Sequence, residues 1–125
     1  MEEIKLIKAD TCYPSESVLS VAKRMQSKKM RRFYVVDKEQ KLLGVVTTVD
    51  IVNKIVASKK DPSKTTVDKI MTKTVKSVSV DNNVEECLEI MNKLKTLACP
   101  ITKEGKLLGV VSYQNIIASV VAARK

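Results

Sequence analysis

The chain contains no histidine and no tryptophan in 125 residues. Lack of histidine removes the usual general base near neutral pH and the commonest metal ligand, and no Ser/His/Asp or Cys/His constellation can be assembled. Glycine occurs three times, at Gly44, Gly105 and Gly109, too dispersed for a GxGxxG turn or a Walker loop. Cysteine also occurs three times, at Cys12, Cys87 and Cys99. There is no CxxC spacing to suggest a metal site, and the odd count argues against a disulfide framework. Buried structural thiols are expected, since Cys87 falls on an apolar helix face where cysteine packs as a small hydrophobe; redox sensing is the alternative. One Phe and three Tyr are thin material for base-stacking platforms. No apolar run approaches the roughly 18 residues of a membrane-spanning helix. The start, Met1-Glu2-Glu3, is acidic and no apolar region follows, so no signal peptide is expected and the location reads as cytoplasmic. Together these absences argue against an enzyme.

What is present is a repeat. Lys41-Leu42-Leu43-Gly44-Val45-Val46 returns as Lys106-Leu107-Leu108-Gly109-Val110-Val111, 65 residues later. A repeat of this length marks two copies of one supersecondary unit. Downstream, Ile51, Val52, Ile55 and Val56 match Ile116, Ile117, Val120 and Val121 at the same offset. Upstream the offset is 66: Val18, Val21, Ala22 and Met25 match Val84, Cys87, Leu88 and Met91. Both upstream sets have the spacing of an apolar helix face. The change in offset requires a one-residue deletion. The hairpin, Lys38–Lys41 against Lys103–Lys106, is the cheapest place for it, because a slip inside a strand reverses the buried face; residues 92–98 are the alternative.

Each copy then reads as an extended segment (9–13, 75–80), a helix (17–29, 83–94), a two-stranded hairpin (33–36 with 41–47, 99–102 with 106–112) and a second helix (49–58, 114–123). The strands are rich in Val, Leu and Ile. Residues 57–68 form a polar linker carrying Pro62, a helix breaker. The expected division is repeat 1 over 1–60, linker over 61–68 and repeat 2 over 69–125. Units of about 60 residues are too small for generous separate cores, so one shared core is expected from the 44% hydrophobic content.

The net charge is +9, and six of the ten residues from Lys23 to Arg32 are basic. This run is either a solvated helix face, a site for ligand phosphates or a nucleic-acid surface. The helices bearing Ile51, Val52, Ile55 and Val56, and Ile116, Ile117, Val120 and Val121, carry more apolar surface than a thin two-layer unit covers. A symmetric homodimer would bury it; packing against the sheet alone is the other reading.

The arrangement resembles a tandem pair of cystathionine β-synthase (CBS) domains, the Bateman module. The matching text in the second copy is Val67-Asp68-Lys69-Ile70-Met71-Thr72, Val78-Ser79-Val80-Asp81, Cys99-Pro100-Ile101 and Gly105 to Ser112. In the first it is Met30 to Asp37 and Lys41 to Asp50. Tyr34 stands where the family usually has proline, and no Ile-Met-Thr text precedes the first copy. The resemblance implies an α+β fold of two βαββα repeats packed through their sheets about a pseudo-twofold axis. It also implies a regulatory role in which AMP, ADP, ATP or S-adenosylmethionine binds in clefts between the repeats and a partner protein receives the signal.

The family's Thr/Ser-x-x-Asp motif is Thr47-Thr48-Val49-Asp50 here. By resemblance, Asp50 accepts both ribose hydroxyls and Thr47 contacts ribose or phosphate, with Val49 beside them. An ionised carboxylate offers two oxygens to a cis-diol in charge-assisted bonds. The same residues also resemble a helix capping box with Asp in place of Glu, and both roles can coexist. The second copy reads Ser112-Tyr113-Gln114-Asn115, and a neutral Asn with one acceptor oxygen suits a diol less well. By resemblance, the Asp50 cleft is walled by Val75, Lys76, Thr96, Leu97 and Ala98. The weaker Asn115 cleft is walled by Met30, Arg31 and Arg32, whose guanidinium groups either pair with phosphates or lie solvated. The expected function is a nucleotide-sensing module with no resident cofactor, no metal and no membrane partner; a basic nucleic-acid-binding module of the same fold is the alternative.

Overall fold

A computed structural model describes residues 4–73 and 75–124; the acidic start Met1-Glu2-Glu3 lies outside the described residues. The chain divides into two compact units. The first unit is Asp10–Val75; the second joins the segment that ends at Ala9 to the residues from Lys76 onward.

In the first unit β1 (Thr11–Cys12), α1 (Val18–Lys28), β2 (Arg32–Val36), β3 (Leu42–Thr47) and α2 (Thr48–Ile51) follow in order. The sheet order is β1-β2-β3, with β1 parallel to β2 and β2 antiparallel to β3. Ser17 caps α1 by accepting the Ser20 N–H at 3.1 Å, and Lys29 in the left-handed conformation ends it. The apolar positions of α1 behave as their spacing requires: Val18, Val21 and Met25 are buried against Phe33, Val35 and Val46.

The second unit repeats this with β4 (Val78–Ser79), α3 (Val84–Leu94), β5 (Ala98–Lys103), β6 (Lys106–Ser112) and α4 (Tyr113–Ala123), in sheet order β4-β5-β6. Asn83 caps α3, and Cys87 and Met91 bury its apolar face beside Cys99, Ile101 and Val111. Each unit is therefore βαββα, and each has its own buried cluster.

The strand register locates the deleted residue. Val36 pairs with Leu42 and Thr102 with Leu107, so the offset changes from 66 to 65 inside the hairpin turn, as expected. The shorter turn is a two-residue loop, Glu104 and Gly105, both at positive φ, the geometry that matches strand twist in tight hairpins. The longer turn is held by the Asp37 carboxylate, which accepts from the N–H groups of Glu39 and Lys41. Tyr34 in place of proline has a visible consequence: its N–H donates to the Asp10 carbonyl at 2.8 Å, and Thr11 pairs with it. Pro100 has no N–H to give, and β4 pairs with β5 one residue further on, at Ile101 and Thr102.

One departure concerns the helix expected over 49–58. It is α-helical only over Thr48–Ile51 and continues as a π turn over Val52–Val56, closed by the Ala57 N–H on the Val52 carbonyl. No glycine or proline interrupts it, and the matching Ile116, Ile117, Val120 and Val121 lie in the unbroken α-helix α4 of the second unit, so the β-branched residues do not account for the π turn.

The segments preceding β1 and β4 cross over. Val67, Ile70 and Met71 pack in the first unit, where Thr72 and Val45 exchange backbone hydrogen bonds. Ile4 and Leu6 pack in the second unit, where Ile7 and Val110 do the same. The first copy thus carries a working equivalent of the Ile-Met-Thr segment although its text differs. These crossings explain the repeated glycines. A Cβ on Gly44 would stand 2.7 Å from the Thr72 carbonyl oxygen, and one on Gly109 would stand 2.9 Å from that of Ile7. Only glycine admits backbone this closely.

All three cysteines are buried and free. Among the described residues no helix is long and apolar enough to cross a membrane, and no group of acidic or cysteine side chains is placed to hold a metal ion.

Candidate ligand-binding site

Thr47 ends β3 and begins α2, so its side chain sits where a pleated strand turns into a helix. Its hydroxyl accepts the Asp50 N–H at 3.2 Å. In return Asp50 Oδ2 accepts the Thr47 N–H at 2.9 Å and the Thr47 hydroxyl at 3.1 Å. This is the capping box expected from the spacing, and it fixes the carboxylate rotamer. The other oxygen, Oδ1, lies 3.3 Å from Lys54 Nζ, and Lys54 donates to the Ile70 carbonyl at 2.8 Å. The Asp50 side chain is 14% exposed. A carboxylate has about four lone-pair sites; both on Oδ2 are taken by Thr47, and Oδ1 has the Lys54 ammonium as an ion-pair partner.

The first unit brings further residues to this junction. Arg32 pairs with Thr47 across the sheet, and the Arg31 carbonyl accepts the Thr48 N–H at 3.0 Å. Arg31 is exposed and Arg32 half-buried, while Met30 and Val49 are exposed. Val75, half-buried, ends this unit. A groove of about 290 Å³ lies beside the junction, lined by Met25, Gln26, Met30, Thr48, Ile51 and Val52 among others.

The second unit repeats the geometry with different chemistry. Ser112 caps α4 by accepting the Asn115 N–H at 3.1 Å. The Asn115 side chain turns away from the cap and donates to the Lys5 carbonyl at 3.1 Å. Thr96 and Ala98 are half-buried and Leu97 is 72% exposed, while Lys76 is exposed. The Leu97 carbonyl accepts the Tyr113 N–H, as Arg31 does for Thr48. A groove of about 350 Å³ here is lined by Leu88, Met91, Asn92, Thr96, Leu97 and Tyr113, among others; all of these but Leu97 match residues that line the first groove. Within units, then, Thr47 and Asp50 stand with Met30, Arg31 and Arg32, and Ser112 and Asn115 stand with Thr96, Leu97 and Ala98.

Of the basic run, Arg24 is structural. It pairs with Glu16 at 2.7 Å, donates to the Thr11 carbonyl and lies over the Phe33 ring. Lys28 pairs with Asp10 at 2.9 Å. Lys54 was not singled out by sequence reasoning; its signal was the Asp-to-Lys spacing of four on one helix.

Two βαββα units, each with a polar cap at the junction of its last strand and last helix, define a duplicated α+β module. The chain belongs to the CBS-domain family, whose family model, described as CBS domain, matches residues 3–57 and 67–122. It is 35% identical over 122 residues to CBS domain-containing protein CBSCBSPB1 of Arabidopsis thaliana, covering 97% of this chain but only 22% of that protein. It is 33% identical over 123 residues to YlbB of Bacillus subtilis, covering 95% of this chain and 82% of YlbB. Among solved structures, a hexameric CBS-CP12 protein from bloom-forming cyanobacteria superposes with a TM-score of 0.70 at 30% identity, over 93% of this chain and 67% of that one.

Proposed function

We propose that this chain is a regulatory module that binds an adenosine-containing ligand, AMP, ADP, ATP or S-adenosylmethionine, and signals its occupancy to a partner protein. The observation that carries this reading is the Asp50 carboxylate, held in one rotamer by Thr47 at the strand-to-helix junction with an acceptor position to spare on Oδ1. Ribose hydroxyls can donate to this fixed carboxylate oxygen in charge-assisted hydrogen bonds. Position 115 is the lesser site, because Asn115 is neutral and offers a diol one acceptor oxygen where Asp50 has two charged ones; its amide nitrogen donates to the Lys5 carbonyl. A thermal-shift panel of the four ligands with duplex DNA tests the reading: a ligand that binds the folded state raises the midpoint by mass action. A rise with at least one adenosine compound is expected; a rise with DNA alone would favour the nucleic-acid alternative.

The module is further proposed to form a homodimer. Val49, Val52 and Val56 are 62%, 55% and 67% exposed, and Ile117, Val120 and Val121 are 41%, 47% and 53% exposed. Apolar surface of this extent on helices is a common mark of association. Light scattering at micromolar concentration should give twice the monomer mass, and Val56→Lys should lower it.

A further inference from the structure

The two units anchor their crossing segments at the same place by different chemistry. Gly44 faces Met71 and Thr72, and Gly109 faces Leu6 and Ile7, so Ile70 in one segment corresponds to Lys5 in the other. The carbonyls of these two residues are the ones held by polar side chains. Lys5 O accepts directly from the Asn115 amide. Ile70 O accepts from Lys54, which is itself paired with Asp50, the residue equivalent to Asn115. Where Lys54 stands in the first unit, the second has Ser119, whose hydroxyl has neither the reach nor the charge to bridge. A carboxylate cannot donate to a carbonyl, so the unit that keeps Asp at this position needs an intervening donor; the unit that has Asn does not.

We infer that Lys54 is a positioning residue that ties the seating of residues 70–72 to the Asp50 carboxylate, so that a diol at Asp50 competes with Lys54 for Oδ1. The competition follows from the acceptor count. Oδ2 already receives two hydrogen bonds from Thr47, and Oδ1 receives Lys54. A two-point contact with a diol must therefore share or displace the ammonium, whose side chain is 45% exposed and free to swing outward. Residues 70–72 lead directly into the chain that continues from Lys76 into the second unit, so this one ammonium links the occupant of Asp50 to the backbone joining the units. The anchoring half stands on contacts alone; the competition half rests on the proposed ligand.

Hydrogen exchange separates the two. The Thr72 and Val45 amides, which bond each other's carbonyls, should exchange about ten-fold faster in Lys54→Met than in wild type, the scale of losing a charge-assisted bond, while Ile7 and Val110 stay unchanged. Lys54→Arg, which keeps charge and donors, should restore slow exchange. Asn115→Ala should do the converse, speeding Ile7 and Val110 alone. For the competition, adenosine is the probe, since it has the diol and no phosphate for Lys54 to attract. It should bind Lys54→Met roughly two- to five-fold more tightly than wild type, the worth of an exposed ion pair, and 2′-deoxyadenosine should show no such gain. Unchanged exchange at Thr72 and Val45 in Lys54→Met would overturn the anchor. Adenosine affinity unchanged or lower in that variant would overturn the competition. Binding of adenosine to neither protein would overturn the competition alone; the exchange result would still decide the anchor, and the thermal-shift panel of the four ligands decides the ligand reading separately.

Discussion

Gly44 lies under the carbonyl of Thr72 so closely that a methyl group in place of its hydrogen would stand 2.7 Å from that oxygen and 3.0 Å from the Met71 sulfur. The obstacle on one side is backbone already committed to the Val45 bridge, so it cannot yield as a side-chain end would. Gly44→Ala should therefore cost about 1–3 kcal/mol, the range for forced overpacking. Gly109→Ala meets the Ile7 oxygen at 2.9 Å and the Leu6 Cβ at 3.2 Å and should cost less. Gly105 meets no atom within 4 Å but holds φ at +82°, so its substitution strains the turn rather than the packing. Denaturant midpoints of the three alanine variants check this ranking.

The buried thiols give a stability that depends on alkaline pH. Burial pushes Cys12 and Cys99 from an ordinary 9.0 up to about 12, and raises Cys87 as well. The folded chain thus keeps these protons where the unfolded chain releases them. The stabilisation is complete below pH 9 and is lost as pH rises toward 12. By pH 10 each strongly shifted thiol should remove about 1.4 kcal/mol. Urea unfolding of wild type and Cys12→Ala at pH 8 and 10 should show the smaller decrease in the variant. Native protein should also react with a thiol reagent only on unfolding, because the thiolate is the nucleophile.

Duplex DNA should bind weakly and without sequence preference. Arg24 and Lys28, two of the six cations between Lys23 and Arg32, are paired within the first unit. A protein with about six phosphate contacts loses roughly 10³-fold in affinity between 50 and 200 mM salt. Fluorescence anisotropy with a labelled duplex should accordingly lose all binding near physiological salt. A complex that survives there would favour the nucleic-acid alternative.

Much of the fold was legible because the same signal was written twice. The apolar spacing of Val18, Val21 and Met25 and of Val84, Cys87 and Met91 gave both first helices, and the repeated Lys-Leu-Leu-Gly-Val-Val gave β3 and β6. The Thr47-x-x-Asp50 spacing gave the capping box that the structure contains. The crossing of residues 4–7 was not legible, because packing against Gly109 constrains backbone position far more than side-chain identity, so Lys5-Leu6-Ile7 does the work of Ile70-Met71-Thr72 without resembling it. The π turn at Val52–Val56 was hidden because its apolar pattern also fits an α-helix. Lys54 was hidden because its second partner is a carbonyl 16 residues away, and backbone acceptors leave no mark in sequence.

Isothermal titration calorimetry of AMP, ADP, ATP and S-adenosylmethionine against wild type and Asp50→Ala tests the central claim most directly. At least one of the four should bind wild type, and Asp50→Ala should weaken the best of them by about 1.5–3 kcal/mol, the worth of hydrogen bonds to a charged group. Equal affinity in the two proteins would contradict the assignment of Asp50 as the ribose acceptor.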